Sequence, residues 1–389
     1  MSNGFDHEIS RKGTNSVKYD ERQNMFGKPD VIPLWVADMD FATPPAITKA
    51  LIERASHPIY GYTRFPDSLY ETVADWAQQR HGWAIQHEWI VMCPGVVPSL
   101  NAAVLAFTKP GDSVIIQPPV YFPFFSAATN NSRKLLHNPL QLANGRYVID
   151  FDHLEQCAKH AHLLLLCSPH NPVGRVWDEQ ELTRLLELAK KYDLIILSDE
   201  IHADLIYPGN KHRVLATMTE SSANIITAMA PSKTFNIPGL NLSTLIIPDK
   251  KNRTAITQVF NAMHVSASNP FSIAAFEAAY REGKTWLEAL LIYLRDTRDC
   301  VETYLADHLP EIKLIKPEGT YLLWLDCRAL NMNDAQLQHF FIHEAGIGMN
   351  PGIQFGRMEG SGFMRFNIGA PRNTILTALK QIRKAINKL

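Results

Sequence analysis

Short apolar segments alternate with amphipathic segments through the middle of the chain. Leu163–Cys167 and residues 194–197 are uninterrupted apolar runs, and Leu182, Leu185 and Ala189 lie between them at helical spacing. Continuous apolar runs of this length are typical of central strands in a parallel sheet, because both faces of such strands are buried. The alternation therefore predicts an α/β protein with a mostly parallel central sheet covered by helices.

The same pattern predicts further elements on both sides of these two strands. Helices are predicted at 69–80, 96–108, 152–160 and 178–189, and strands at 89–92, 113–117, 135–140, 225–229 and 242–247. Beyond Pro248 the pattern turns helical, with helices predicted at 285–308, 334–345 and 373–389 and strands at 320–326 and 362–368. We interpret 46–284 as a large domain and 285–389 as a smaller α+β domain. Residues 1–45 are predicted to be an irregular N-terminal segment joining the small domain.

Composition and charge narrow the class of protein. The chain has 389 residues, 46% of them hydrophobic, and a formal net charge of −1, which gives no electrostatic reason to expect nucleic acid or an anionic membrane as partner. Its first residues lack the basic and apolar regions of a secretory signal, and no apolar run approaches the length of a membrane span. Five cysteines without close pairs indicate reduced thiols. We therefore expect a cytoplasmic protein.

A lysine follows one of the predicted strands. Lys233 stands between Pro231 and Pro238, directly after the apolar run at 225–229. Because proline fixes φ and ends hydrogen-bond ladders, we predict a turn at a strand end and not a helix interior. Ligands of α/β proteins bind at such strand ends, where a desolvated lysine serves as a nucleophile or Schiff-base amine. The alternative is a solvated loop lysine.

Three more loops are predicted at strand ends of the same sheet. Gly95 opens a strand-to-helix turn at which backbone N–H groups can face an anion. Asn171 lies in a loop with Pro169 and Pro172 on either side, and Asp199 ends a strand that is apolar before it. A poorly solvated aspartate needs a positive partner. The alternatives are a turn or capping role for Asn171 and a helix N-cap for Asp199.

A lysine and an aspartate at neighbouring strand ends suit one cofactor. Pyridoxal phosphate (PLP) requires a lysine for its imine and an acid that keeps the ring nitrogen protonated, so that the ring withdraws electrons from the substrate α-carbon. Its phosphate, ring face and hydroxyl also need partners, for which the sequence offers 95–97, Tyr121 and Asn171.

The order of these motifs resembles that of the fold-type I PLP-dependent aminotransferase superfamily, and the resemblance covers nearly the whole chain. Three segments, 35–41, 199–202 and 230–236, are similar to those of the MalY/PatB-type cystathionine β-lyases.

The resemblance implies a role for each matching position around the cofactor ring. Lys233 matches the Schiff-base lysine that also moves the α-proton, and Asp199 matches the partner of the ring nitrogen. Tyr121 matches the aromatic residue that stacks on the ring, and we count it as catalytic with the other two. Asn171 matches a partner of the ring hydroxyl that also touches the substrate carboxylate. His202 stands where many aminotransferases have a tyrosine that contacts the same hydroxyl.

The resemblance implies further roles at the phosphate and at the substrate. Tyr62 matches a tyrosine that reaches the cofactor phosphate of the other subunit and contacts substrate, which implies a homodimer with shared sites. Arg365 matches the arginine that binds the substrate α-carboxylate. Four positions match the phosphate cradle of the superfamily: Gly95, Val96, Val97 and Ser232.

Two positions depart from the superfamily pattern. Asn241 stands where aminotransferases commonly have a phosphate-binding arginine, and Ala230 replaces a common phosphate-binding serine. The phosphate site must therefore depend on backbone amides, Ser232 and a tyrosine of the neighbouring subunit.

Four histidines lie close together in the sequence, namely His153, His160, His162 and His170. They lack acidic or cysteine partners at ligand spacing, so we expect no metal site.

Two enzyme functions and one non-enzymatic function are consistent with these residues. The first is a carbon–sulfur β-lyase that converts a sulfur amino acid to pyruvate, ammonia and a thiol. The second is an aminotransferase, which uses the same residues. The third is a regulatory binding protein that retains the fold, since fold does not fix function. The lyase is our leading hypothesis, because the three segments named above resemble lyases.

Overall fold

The computed structural model describes residues 4–219 and 222–389. Residues 1–3 of the predicted N-terminal segment, and residues 220–221, lie outside the described residues. Within the described part of the chain, no helix combines the length and the apolar character needed to cross a lipid bilayer.

The described residues form fifteen strands and fourteen α-helices. The strands are β1 (Ile32–Pro33), β2 (Ile90–Cys93), β3 (Ser113–Ile116), β4 (Lys134–His137), β5 (Gln141–Ala143), β6 (Arg146–Val148), β7 (Leu163–Cys167), β8 (Ile195–Asp199), β9 (Ile225–Met229), β10 (Ser243–Ile246), β11 (Lys313–Ile315), β12 (Leu322–Asp326), β13 (Ile347–Gly348), β14 (Asn350–Pro351) and β15 (Phe363–Asn367). The helices are α1 (Val17–Asp20), α2 (Arg22–Phe26), α3 (Pro45–Ser56), α4 (Asp67–His81), α5 (Val96–Phe107), α6 (Pro123–Thr129), α7 (Phe151–Ala158), α8 (Glu179–Lys191), α9 (Pro231–Thr234), α10 (Lys250–Ala262), α11 (Pro270–Glu282), α12 (Lys284–His308), α13 (Asp334–His339) and α14 (Arg372–Ile386).

A seven-stranded sheet with the order β2-β10-β9-β8-β7-β3-β4 forms the centre of the fold. The strands β9, β8, β7, β3 and β4 pair in parallel, whereas β10 runs antiparallel to both β9 and β2. The predicted mostly parallel sheet is therefore confirmed, with β10 as its reversed strand.

The apolar run of β7 is buried on both faces of this sheet. Leu164 and Leu166 pack with the side chains of α7 and α8, whereas Leu163 and Leu165 pack with those of α5, α6 and α10. Because successive side chains of a strand point to opposite faces, a run without polar residues is what a doubly covered strand requires. Helix α8 begins with the capping box that Asp178 forms with Glu181, at the predicted N-cap.

The pairing register brings five chain segments to one edge of the sheet. Asp199, at the end of β8, pairs with Cys167 of β7 on one side and Ala228 of β9 on the other. Because β10 is reversed, it begins at this edge, where Ser243 pairs with Cys93 at the end of β2. The loops that leave these strand ends therefore converge, as the sequence predicted for ligand-binding loops.

A four-stranded antiparallel sheet with the order β11-β12-β15-β14 forms a second layer, and Arg365 lies on its strand β15. The N-terminal segment adds to this part of the fold, because Ile32 of β1 pairs with Ile347 of β13 and Asn367 N–H donates to the Leu34 carbonyl. The division at residues 45 and 284 stays a prediction.

Several local predictions were wrong. The N-terminal segment was predicted to be irregular, yet it forms α1, α2 and β1, and the hairpin of β5 and β6 was not predicted. The segment around Lys233 is the short helix α9 and not a turn, because Pro231 at its first position has the φ that a helix needs. The predicted helix 334–345 consists of α13 followed by a π-helical turn at Phe340–Glu344.

Candidate active site

A cavity of about 340 Å³ opens at the edge of the sheet where the strand ends converge. Its walls come from the loops after β2, β7, β8 and β9 and from the start of β10. Nine of the predicted site residues line it: Gly95, Val96, Val97, Tyr121, Asn171, Asp199, His202, Ser232 and Lys233. The two residues that depart from the superfamily pattern, Ala230 and Asn241, also lie in its wall.

Lys233 projects into this cavity from α9. Its Nζ donates a hydrogen bond of 2.7 Å to the carbonyl oxygen of Ala37. Burial lowers the pKa of Lys233 to about 8, and the nearby guanidinium of Arg365 acts in the same direction, whereas Asp38 and Asp199 oppose it. The lysine is therefore closer to its neutral, nucleophilic form than a solvated lysine is.

Asp199 ends β8 with its carboxylate buried and without a cationic partner. Its Oδ1 accepts a hydrogen bond of 3.1 Å from the backbone N–H of Ile201. Within the described part of the chain, no lysine, arginine or histidine forms an ion pair with it. Burial raises its pKa to about 7. A cationic ligand group in the cavity would supply the missing partner, and a protonated pyridine nitrogen is such a group.

Arg365 lies behind Asn171 as a buried cation without a carboxylate. Its guanidinium donates to Asn171 Oδ1 at 3.2 Å, to Asn350 Oδ1 at 2.7 Å and to the carbonyl oxygen of Trp35 at 2.7 Å, and these acceptors are all neutral. Its Nε has no hydrogen-bond partner, and burial lowers its pKa to about 10. A guanidinium held in this way is prepared to bind a carboxylate of a ligand.

His202 and Tyr121 complete the polar wall around Asp199. His202 is buried with its Nδ1 unpaired, and burial lowers the pKa of its imidazole to about 3, so the ring is neutral. Tyr121 begins the segment that leads into α6, where its backbone N–H donates to the carbonyl of Asn171. Burial raises the pKa of its phenol, which therefore stays protonated at neutral pH.

The other end of the cavity is formed by the start of α5. Gly95 caps this helix at a φ of 149°, which favours glycine. The N–H groups of Val96 and Val97 have no partner within a helix at this position, and Pro98 next to them has no N–H. Together with the positive end of a twelve-residue helix, they form a cradle for an anion. The end with Lys233 and Asp199 thus suits the ring of PLP, and the end at the start of α5 suits its phosphate.

Tyr62 does not line this cavity in its own chain. Its side chain is fully exposed on the loop between α3 and α4. It borders a second depression together with Pro94 and Asn241, and both of these residues also line the cavity. Tyr62 therefore lies next to the anion-binding end, on the outer surface of the molecule.

Sequence reasoning missed the backbone carbonyls that hold the two cations of the site. They belong to Trp35 and Ala37, and the hydroxyl of Tyr321 also donates to the Ala37 carbonyl at 2.9 Å. Backbone acceptors leave no signal in residue identity. The only indication was the acidic end of the 35–41 segment, because aspartates beside an apolar run require partners from elsewhere in the chain.

The four histidines considered as metal ligands are His153, His160, His162 and His170. Within residues 4–219 and 222–389, no three His, Cys, Asp or Glu side chains are grouped closely enough to hold a metal ion. His170 is instead buried beside Trp177, and one ring nitrogen lies 2.9 Å from the carbonyl oxygen of Pro119.

Comparisons with known proteins agree with this geometry. Residues 29–382 match the sequence profile of the family of class I and II aminotransferases. The chain is 42% identical to cystathionine β-lyase PatB of Bacillus subtilis over 98% of this chain and 100% of that protein, and 32% identical to the MalY protein of Escherichia coli over 98% of each. It is also similar to the crystal structure of cystalysin from Treponema denticola, which contains PLP. That match has a TM-score of 0.96 and 40% identity, and it covers 99% of this chain and 98% of the other.

Proposed function

This chain belongs to the family of class I and II aminotransferases, in the branch that includes PatB and MalY, and we propose that it is a PLP-dependent carbon–sulfur β-lyase. Its substrates are L-cysteine conjugates such as cystathionine, and its products are pyruvate, ammonia and a thiol. The similarity to PatB favours a lyase over an aminotransferase, which uses the same residues, and one observation supports the PLP chemistry that both share. Lys233, with its lowered pKa, and Asp199, buried without a cation, line the cavity, and Arg365, a buried cation without a carboxylate, donates to Asn171 in its wall.

The cofactor supplies an electrophilic carbon that links to an amine and a protonated ring that withdraws electrons from the substrate α-carbon. Asp199 would bind the ring nitrogen and keep its proton in place. Tyr121 would cover the ring face, and Asn171 and His202 would contact the ring hydroxyl. Gly95, Val96, Val97 and Ser232 would hold the phosphate.

Lys233 and Arg365 act on the substrate. Arg365 binds the α-carboxylate through two points of its planar guanidinium, with Asn171 beside it, and so fixes the orientation of the Cα–H bond. Lys233, as the neutral amine, accepts the α-proton. The electron pair of the broken C–H bond forms a Cα–Cβ double bond, and the Cβ–S bond breaks as the thiolate leaves. The released 2-aminoacrylate takes up water and gives pyruvate and ammonia.

A product assay separates this lyase from an aminotransferase and from a binding protein. Purified enzyme is given cystathionine or another cysteine S-conjugate without any keto acid. We expect pyruvate, ammonia and thiol in equal amounts over many turnovers, and slow reaction with alanine or aspartate, which carry no β-thiolate. A reaction that stops after about one product per site and restarts on adding a keto acid would identify an aminotransferase. A protein that binds the substrates without forming product would be a regulatory binding protein.

We also propose a homodimer whose subunits share their active sites, with Tyr62 of one subunit at the phosphate of the other. The exposure of Tyr62 beside the anion-binding end supports this arrangement, as do Asn241 and Ala230, which provide no charged phosphate contact. In a verified heterodimer of Tyr62→Phe and Lys233→Ala subunits, one composite site retains both native residues, and activity should exceed that of either variant alone. If Tyr62 serves its own chain, no such gain appears.

We propose that the enzyme works in the cytoplasm on small molecules. All five cysteines are free in the structure, and four of them are buried. Reduced thiols are typical of cytosolic proteins.

A further inference from the structure

Two cations of the N-terminal segment bind two aspartates of the 35–41 segment. Lys18 is completely buried, and its Nζ lies 3.0 Å from Asp40 Oδ2 and 3.6 Å from Asp38 Oδ1. Arg11 donates to Asp38 at 2.6 and 2.9 Å and to Asp40 at 2.8 Å. We call these four residues the strap cluster. Its two positive and two negative charges balance.

The opposite side of the same segment holds the cations of the active site. The Ala37 carbonyl accepts from Lys233, and the Trp35 carbonyl accepts from Arg365, each at 2.7 Å. Asn367 donates to the carbonyls on either side of Ala37, those of Val36 at 2.6 Å and Asp38 at 2.8 Å. A displacement of this segment would therefore move the acceptors of both functional cations at once.

The strap cluster also affects the charge around Lys233. The charged groups that act on this amine are Arg365, Asp38 and Asp199. A carboxylate at Asp38 favours the ammonium form of Lys233, which cannot accept a proton. Lys18 and Arg11 both form ion pairs with this carboxylate.

We propose that Lys18 and Arg11 are positioning residues for the reaction at Lys233 and Arg365. By pairing with Asp38 and Asp40, they fix the backbone carbonyls of Trp35 and Ala37 and balance the charge beside the catalytic amine. This inference rests on the roles proposed above for Lys233 and Arg365.

A purely structural role does not explain why the buried side chain is a lysine. Removing a cation from water is costly, and a buried ion pair is often no more stabilising than well-packed apolar side chains of similar volume. Methionine is unbranched, like the stem of lysine, and fills irregular spaces. Packing alone could therefore be satisfied by apolar residues at position 18 and at its acidic partners together, whereas the ion pairs connect Lys18 to the 35–41 segment.

The test compares Lys18→Met with two partner variants. The first is the double variant Lys18→Met/Asp40→Asn, which restores the charge balance of the cluster. The second is Lys316→Met, a matched control that removes an exposed ion pair with Glu302 at 3.2 Å, remote in sequence from the cluster. The milder variant Arg11→Gln acts on a partly exposed member of the cluster and serves if Lys18→Met folds poorly. Each protein is studied as the cofactor-loaded enzyme.

Two measurements are made on each variant. The first is kcat/KM for the lyase reaction, and the second is the pH midpoint of the visible absorption of the bound cofactor. We expect Lys18→Met to lower kcat/KM by about 10-fold or more, since small misplacements of reacting groups cost up to about 100-fold. The midpoint should move to higher pH, because Asp38 and Asp40 then share Arg11 as their one cation in the strap cluster, and the excess negative charge favours protonation at the Lys233 nitrogen. The double variant should recover most of both changes.

The proposal is overturned if Lys18→Met matches Lys316→Met in kcat/KM and in the absorption midpoint, whatever its melting temperature. It is also overturned if the double variant is no better than Lys18→Met, because charge balance would then play no part. If the cofactor absorption shows no midpoint in the accessible pH range, the test is decided by the loss of kcat/KM in Lys18→Met and by its recovery in the double variant. If the wild-type protein has no lyase activity, the proposed function fails, whereas the absorption midpoint still tests the strap cluster.

Discussion

The two groups of charges on either side of the 35–41 segment differ in how they are paired. In the strap cluster, each of Lys18 and Arg11 contacts both Asp38 and Asp40. At the active site, Asp199 in the cavity wall has no cation, and Arg365 behind Asn171 has only neutral acceptors. Asp199, Arg365, Lys18 and Asp40 are buried, whereas Arg11 and Asp38 of the strap cluster are partly exposed.

This difference indicates which charges await a ligand. Burying a charge without a partner is costly, and the cost is relieved when the group changes its protonation state or when another molecule completes the pair. The active site has an unpaired negative group at Asp199 in the cavity wall and an unpaired positive group at Arg365 next to Asn171, as PLP and an amino acid substrate together require. We therefore expect the unpaired charges of Asp199 and Arg365 to act in the chemistry and the paired charges of the strap cluster to support them.

Removing the amine should have the largest effect. Lys233→Ala is expected to lower kcat by about 10⁴-fold or more, because it removes both the covalent attachment and the general base. Borohydride should fix the cofactor of the wild-type protein to the peptide that contains Lys233 and should fix none in the variant. An equally reducible adduct elsewhere in the variant would show that another lysine carries the function.

Neutralising the unpaired carboxylate of Asp199 should have the second-largest effect on turnover. Asp199→Asn keeps the shape of the side chain but removes its charge. We expect cofactor binding to survive in part while kcat falls by about 100-fold, which corresponds to roughly 3 kcal/mol of electrostatic stabilisation. Turnover close to that of the wild type would remove Asp199 from the mechanism.

Replacing the open guanidinium should have a somewhat smaller effect. Arg365→Lys exchanges a two-point contact for a point charge, and one charge-assisted hydrogen bond contributes roughly 1.5–3 kcal/mol. We expect kcat/KM to fall by about 10- to 100-fold, with a rise in KM for every amino acid substrate. A loss confined to substrates with large sulfur substituents would place Arg365 at the side chain instead of the α-carboxylate.

A neutral residue of the same wall should have the smallest effect. His202 has its pKa lowered to about 3 by burial, so it carries no charge that the pH of an assay could change. His202→Asn is expected to reduce kcat by less than about 10-fold, the size of one neutral hydrogen bond, without moving the pH optimum. A shifted optimum would mean that His202 titrates during the reaction.

The sequence predicted the parts of this picture that side-chain identity encodes. The apolar runs, the cap at Asp178 and the motifs around Asn171, Asp199 and Lys233 led to the sheet and to its ligand-binding edge. Short elements such as β5 and β6 escaped prediction, because a few exposed residues in a hairpin produce little periodicity.

The strap cluster could not be predicted for a different reason. In the sequence, Lys18 is an ordinary polar residue in a polar segment, and its burial depends on contacts with residues twenty or more positions away. The backbone carbonyls of Trp35 and Ala37 are similarly invisible, since every residue has one. Long-range pairing and backbone geometry therefore account for most of what the sequence left undetermined.

The central claim is that the cavity keeps Asp199 unpaired for a cationic ligand group. Burial raises the pKa of Asp199 from 3.8 to about 7, so the folded protein binds this proton more tightly than the unfolded chain does. The carboxylate therefore lowers the stability of the cofactor-free protein progressively as the pH rises from about 4 to about 7.

The most direct test measures the unfolding free energy of the cofactor-free wild type and of Asp199→Asn across this pH range. The account predicts similar stabilities below pH 4 and a variant that is more stable by about 2–4 kcal/mol at pH 8. Added PLP should then stabilise the wild type more than the variant. A gap that does not change with pH, or equal stabilisation by PLP, would contradict the claim that Asp199 is left open for the cofactor.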